Sequence, residues 1–172
     1  MGLAADAGLT PTDREFLVTP THAHLDVFVD GTRIVVPGGI GIDVGADGVT
    51  ETTTPDGTET EYGVTTCDAP CISPLHTHLP DGILHTESEE PNIEPYTLGQ
   101  FFTHWGLALN SSCVGEFCRD KTNVEIYLDG EKHEGDPALI ELTSHLEIAI
   151  VVGKPPTTIP DSHTFLTEDT PS

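Results

Sequence analysis

Residues 22–43 read HAHLDVFVDGTRIVVPGGIGID, and this stretch sets the fold class. Leu25, Val27 and Val29 alternate with Asp26, Phe28 and Asp30, the period of two expected of a strand with one buried face. Asp30-Gly31 follows, a pair suited to the positive φ angles of a two-residue hairpin turn. Arg33-Ile34-Val35-Val36 then reads as the returning strand. Pro37-Gly38-Gly39 breaks it, and Ile40-Gly41-Ile42 reads as the start of another short strand.

The same grammar recurs near the C-terminus. Residues 123–153, NVEIYLDGEKHEGDPALIELTSHLEIAIVVG, again read strand, Asp129-Gly130, strand and then a Gly/Pro break, so two similar hairpins are expected. Between the two, residues 44–63 are rich in Gly, Asp, Glu and Thr and fit either a solvated hairpin or a loop. Residues 97–107, TLGQFFTHWGL, carry the helical signal. Thr97 and Gln100 make a capping box, Leu98, Phe101, Phe102 and Trp105 share one face, and Gly106 is a stop. That apolar stripe reads as core packing. The expected fold is mainly β: a small sandwich or partly closed barrel of short antiparallel strands with one short α-helix. Residues 1–18 read as a flexible lead-in, 19–154 as a single β-rich metal-binding domain and 155–172 as a flexible tail.

Composition narrows the function classes. The 172 residues carry 29 Asp+Glu against 6 Lys+Arg, a formal net charge of -23. Nucleic acid and anionic membranes need clustered cations, so neither is expected as a partner. No run of about 18 apolar residues exists to span a bilayer. The first residues lack the basic and apolar regions of a signal peptide. A dispersed acidic excess is favourable where salt screens self-repulsion, and a halophilic source is the expectation.

The chemistry-bearing residues are histidines. His22-Ala23-His24 and His76-Thr77-His78 each put two imidazoles on one face of a strand, and His85 follows the second pair. Leu79-Pro80-Asp81-Gly82 suits a turn. If Leu79 pairs with Gly82, His78 lies opposite Ile83 and His76 opposite His85, giving three imidazoles on one hairpin face. A bulge at Gly82 would turn His85 away. Glu87 shares the His85 face as a ligand, an orienting partner or an acid/base group. A lone strand histidine is usually a surface residue. Two His-x-His pairs and a third hairpin histidine make His76, His78 and His85 the expected metal ligands, with His22 and His24 as further candidates. His104, His133, His145 and His163 read as structural or surface residues. The cofactor expected is a divalent transition metal, copper or zinc.

Cys67 and Cys71 flank three residues, and Cys113 and Cys118 flank four. Four cysteines allow three pairings, and two disulfides or a four-cysteine zinc site both remain open. The Asn110-Ser111-Ser112 sequon is compatible with export. The segments HAHLDVFVDG, CISPLHTHLPDGILHTES and YTLGQFFTHWG together resemble an uncharacterised group of exported prokaryotic proteins. In that group a His-x-His strand, a Leu-His-x-His hairpin and a Thr-Leu-Gly-x-Phe-Phe helix occur in this order. The resemblance covers roughly residues 22–153 and implies export to an extracellular or cell-surface location and a shared site, but no reaction. The hairpin is also similar to a cupin's first motif, though Glu87 lies farther from His78 than that motif wants. A three-histidine set is similar to an α-type carbonic anhydrase site, for which the chain is too short.

Three readings follow. The chain is an exported domain that binds or delivers copper or zinc, or a metalloenzyme using the same cluster with Glu87 or Asp81 as acid/base, or an extracellular structural domain with incidental histidines. The first is preferred.

Overall fold

The computed structural model describes residues 2–16, 20–88 and 94–165. Residues 1, 17 and 18 of the expected lead-in and 166–172 of the expected tail lie outside them. Among the described residues the fold is mainly β, with two α-helices and no closed barrel, consistent with a small sandwich.

The opening stretch forms strand β1 (Thr21–Val29), and Asp30-Gly31 turns it into β2 (Thr32–Ile34), with Val29 opposite Thr32. Asp30 and Gly31 have φ of 50° and 81°, the left-handed pair this turn demands. The second Asp-Gly pair does the same between β9 (Val124–Leu128) and β10 (Glu131–Lys132). The 44–63 segment contains a hairpin, β3 (Val49–Thr53) with β4 (Thr60–Val64). β5 (Leu75–His76) pairs with β6 (Ile83–Thr86), and β7 (Cys113–Val114) with β8 (Phe117–Cys118). The last strand, β11 (Glu147–Val152), is wholly buried and joins the two Asp-Gly hairpins, running antiparallel to β9 and parallel to β1. The main sheet is thus ordered β10-β9-β11-β1-β6-β5, with β2 beside β6 on the same edge of β1.

Alternation divides the sheet into two faces. Ala23, Leu25, Val27 and Val29 of β1, with Ile148, Ile150 and Val152 of β11, face the main core. Helix α2 (Leu98–Trp105) fills that core with Leu98, Phe101 and Phe102. Its capping box is formed as the sequence predicts, and Gly106 closes it at φ 81°. The opposite face carries His22, His24, Asp26 and Phe28 of β1, and Glu147, Ala149 and Val151 of β11.

Three local expectations change. Residues 2–9, read as a flexible lead-in, include helix α1 (Gly2–Asp6) and bury Ala4, Ala7 and Leu9 in the main core against the α2 side. The small apolar residues in GLAADAGL were too sparse to signal this. Residues 40–42 turn instead of forming a strand, with Ile42 making one isolated bridge to Ile72. Gly39 and Gly41, both at φ 81°, supply the left-handed positions for that turn. The described part of the tail, 155–165, lies across the second sheet face. Ile159 packs on Phe28, Ala149 and Val151, and Phe165 stacks on His145.

The cysteines form two local disulfides, Cys67–Cys71 and Cys113–Cys118, and not a four-cysteine metal site. The first closes the loop preceding β5, and the second bridges β7 and β8. Their presence indicates a non-reducing environment. No helix among the described residues is long and apolar enough to cross a membrane.

Candidate metal centre

The β5–β6 hairpin takes the register in which His76 stands opposite His85, and Gly82 sits at φ 91° in the turn. A side chain at Gly82 would put its Cβ 2.5 Å from the Leu25 carbonyl oxygen, so the turn seats against β1 only because this residue is glycine. Asp81 Oδ1 accepts the Ile83 N–H at 2.9 Å, which holds the turn and occupies this candidate acid/base. β6 continues the row onto β1, where His22 is the partner of His85. The two His-x-His segments are therefore joined through one intervening strand.

His76, His78 and His85 offer ring nitrogens that lie within 4.8 Å of one another and could hold a metal ion. His76 Nδ1 donates to the Ser73 carbonyl at 2.9 Å, and His78 Nδ1 donates to the Tyr62 carbonyl at 2.6 Å. A carbonyl oxygen only accepts, so both Nδ1 atoms carry hydrogen, and in the neutral rings both Nε2 atoms present lone pairs. Those two Nε2 atoms face each other at 3.0 Å. Two lone pairs at that distance repel unless a cation lies between them. A metal ion with nitrogens at about 2.1 Å holds them about 3.0–3.4 Å apart for angles between square and tetrahedral. The two backbone carbonyls are the usual orienting partners of ligating imidazoles.

His85 adds its ring at 4.7 Å from His78 and 5.3 Å from His76, between centroids. His22 meets His85 edge-on at 4.5 Å and borders the group. Burial, and then the neighbouring His78, hold the His76 pKa well below its ordinary value. Burial followed by His76, His78 and His22 does the same for His85. These rings are kept neutral, the form that binds metal.

Two carboxylates border the cluster. Glu87 Oε1 is 4.0 Å from His76 Nε2, while its Oε2 accepts the Phe16 N–H at 2.8 Å. Burial raises Glu87 to about 7, against the lowering effect of the Phe16 hydrogen bond. Glu15 Oε1 lies 3.5 Å from His78 Nε2. Sequence reasoning missed Glu15, because nothing local marks a carboxylate brought from about 60 residues away.

His24 departs from the other four. It bonds Glu147 across the β1–β11 pairing and lies beneath His163, and these three also offer atoms within 4.8 Å of one another. Glu147 heads an otherwise apolar strand, a signal the sequence does carry. His163 carries none. His104 is buried with both ring nitrogens lacking a hydrogen-bond partner among the described residues, beside a cleft of about 610 Å³ near α1. That cleft is lined by residues other than the five candidate ligands.

No family model, no curated protein and no solved structure matches this chain. The site is therefore read from its own atoms.

Proposed function

We propose that this chain is an exported metal-binding domain that holds one copper or zinc ion through His76, His78 and His85, with His22 bordering the site, and serves in metal binding or delivery. The observation that carries the reading is the pair of Nε2 atoms 3.0 Å apart, each ring having its Nδ1 committed to a backbone carbonyl. Nitrogen donors of this kind suit zinc and copper over magnesium or calcium. Two disulfides support an oxidising, extracellular or cell-surface setting. The net charge of -23 supports a saline one.

The test is elemental analysis of protein purified without an affinity tag or chelator, beside a His76→Ala/His78→Ala variant. The expected result is that the variant carries about one equivalent less copper or zinc than the parent chain. Equal metal content in the two proteins, after loading and dialysis, would sink the reading.

A metalloenzyme is the second reading, and Glu87 favours it. A carboxyl held near 7 and 4.0 Å from a ligand nitrogen is placed to exchange a proton with metal-bound water. If metal loads equally well into Glu87→Gln and the loaded parent shows no hydrolytic or oxidative turnover, binding alone remains.

A further inference from the structure

We propose that His24, Glu147 and His163 form a second metal site, independent of the first, that fastens the 155–165 segment to the sheet through a divalent ion of the zinc class. His24 and Glu147 are opposite one another in the parallel β1–β11 register, with Nδ1 2.8 Å from Oε2. Their side chains are 3% and 1% exposed, so water cannot substitute for a missing partner. The Asp81 carbonyl lies 3.0 Å from His24 Nε2 and can only accept, so Nε2 carries the hydrogen and Nδ1 is the atom turned to Glu147. A ring nitrogen and a carboxylate oxygen at this distance share a cation, either a proton or a metal.

The second oxygen of Glu147 favours the metal. Oε1 is buried and has no hydrogen-bond partner among the described residues. A proton on His24 satisfies one oxygen and leaves that one unanswered, a costly state for a buried carboxylate. A metal ion can draw on both. His163 brings the third donor, so the set is two imidazoles and one carboxylate, a combination suited to zinc, copper or iron and not to calcium. The nearby charges do not oppose it. Arg33 Nη2 is 3.4 Å from His24 Nε2, but its guanidinium is paired with the buried Asp26 and also donates to the Asp81 carbonyl at 3.0 Å, so its charge is already answered away from Glu147.

One movement is required. The His24 and His163 rings are stacked at 3.7 Å with planes 16° apart, so their in-plane lone pairs run side by side. His163 must turn about its side-chain torsions for one nitrogen to converge with His24 Nδ1 and Glu147. It lies outside regular secondary structure and is partly exposed, so the turn is local.

The test is Zn²⁺ titration of the full chain by calorimetry, with metal content measured after dialysis, in four proteins: the parent, His163→Ala, Glu147→Gln and His76→Ala/His78→Ala. The parent should bind about one equivalent more than His163→Ala or Glu147→Gln, and the double variant should keep that equivalent. Zinc should also shift the His163 ring resonances in the double variant as the stack opens. Equal stoichiometry in the parent and His163→Ala would overturn the proposal and leave an imidazolium–carboxylate pair only. So would a double variant that binds no zinc. Should Glu147→Gln fail to fold, His163→Ala carries the test, since it removes only a partly exposed ring. Full zinc binding by the double variant would instead defeat the first site and leave this one standing.

Discussion

At the scale of single residues, the buried imidazoles dictate how stability must follow pH. In the unfolded chain His76 and His85 titrate near 6.5, and in the folded chain both are held well below that. Above 6.5 they are neutral in both states and contribute nothing. Below it the unfolded chain takes up two protons that the fold refuses, so stability falls as pH falls, by up to about 1.4 kcal/mol per pH unit for each ring. Glu87 runs the other way. Raised to about 7, it binds a proton in the fold before the unfolded carboxyl does, which restores stability as pH drops from 7 toward 4.5. Burial lowers the His24 pKa, but the bond to and charge of Glu147, with Asp26 and the Asp81 carbonyl, together raise it on balance, so His24 contributes stability already present in full below 6.5. Burial lowers His104 and His163 as well and raises Glu147, so four losses against two gains leave a net loss. The urea midpoint of the metal-free protein should therefore drop between pH 7 and pH 5, more shallowly in His76→Gln. A flat profile would show that the rings are not neutral in the fold.

At the scale of elements, the histidine hairpin depends on a glycine that has no chemistry of its own. Gly82 holds φ 91° and meets the Leu25 carbonyl so closely that Gly82→Ala combines backbone strain with a clash. We expect a cost of about 1–3 kcal/mol in urea unfolding, together with weaker zinc uptake at His76, His78 and His85. Unchanged values for both would mean that the turn seats without this contact. The hairpin was legible in the sequence because its determinants are local: His76 and His78 two residues apart, and a Pro-Asp-Gly turn that sets His85 opposite His76. The two Asp-Gly turns and the α2 capping box were legible for the same reason, each resting on residues within four positions of one another. What lay beyond the sequence is non-local. Helix α1 is short and weakly patterned, and it buries Ala4 only because the α2 side of the core receives it. Glu15 and His163 reach the sheet from opposite ends of the chain, and no spacing rule ties them to β1 or β5. The parting of His22 from His24 also needed the order of the strands, which places β11 on one edge of β1 and β6 on the other.

At the scale of the whole molecule, 29 acids against 6 bases set the dominant long-range force. Self-repulsion among dispersed carboxylates opposes the compact state, and salt relieves it. The screening length falls from about 30 Å at 0.01 M salt to about 3 Å at 1 M. The thermal midpoint of the metal-free protein should rise across that range in NaCl, measured by scanning calorimetry at pH 7. A midpoint that falls or stays level would show that specific pairs, and not the general field, govern stability. Reducing the two disulfides should lower the midpoint as well, through a loss of about 2 kcal/mol of stability for each of the small loops they close.

The parallel pairing of β1 with β11 has a kinetic consequence. His24 and Glu147 are 123 residues apart, so the centre of the sheet is its most distant contact in sequence. Contact order of this kind places folding on the millisecond-to-second scale. The hairpin carrying His76, His78 and His85 spans only twelve residues and can close long before β11 arrives. An ion captured there can speed folding by stabilising an early nucleus. An ion held on Glu147 acts after the transition state and slows unfolding instead.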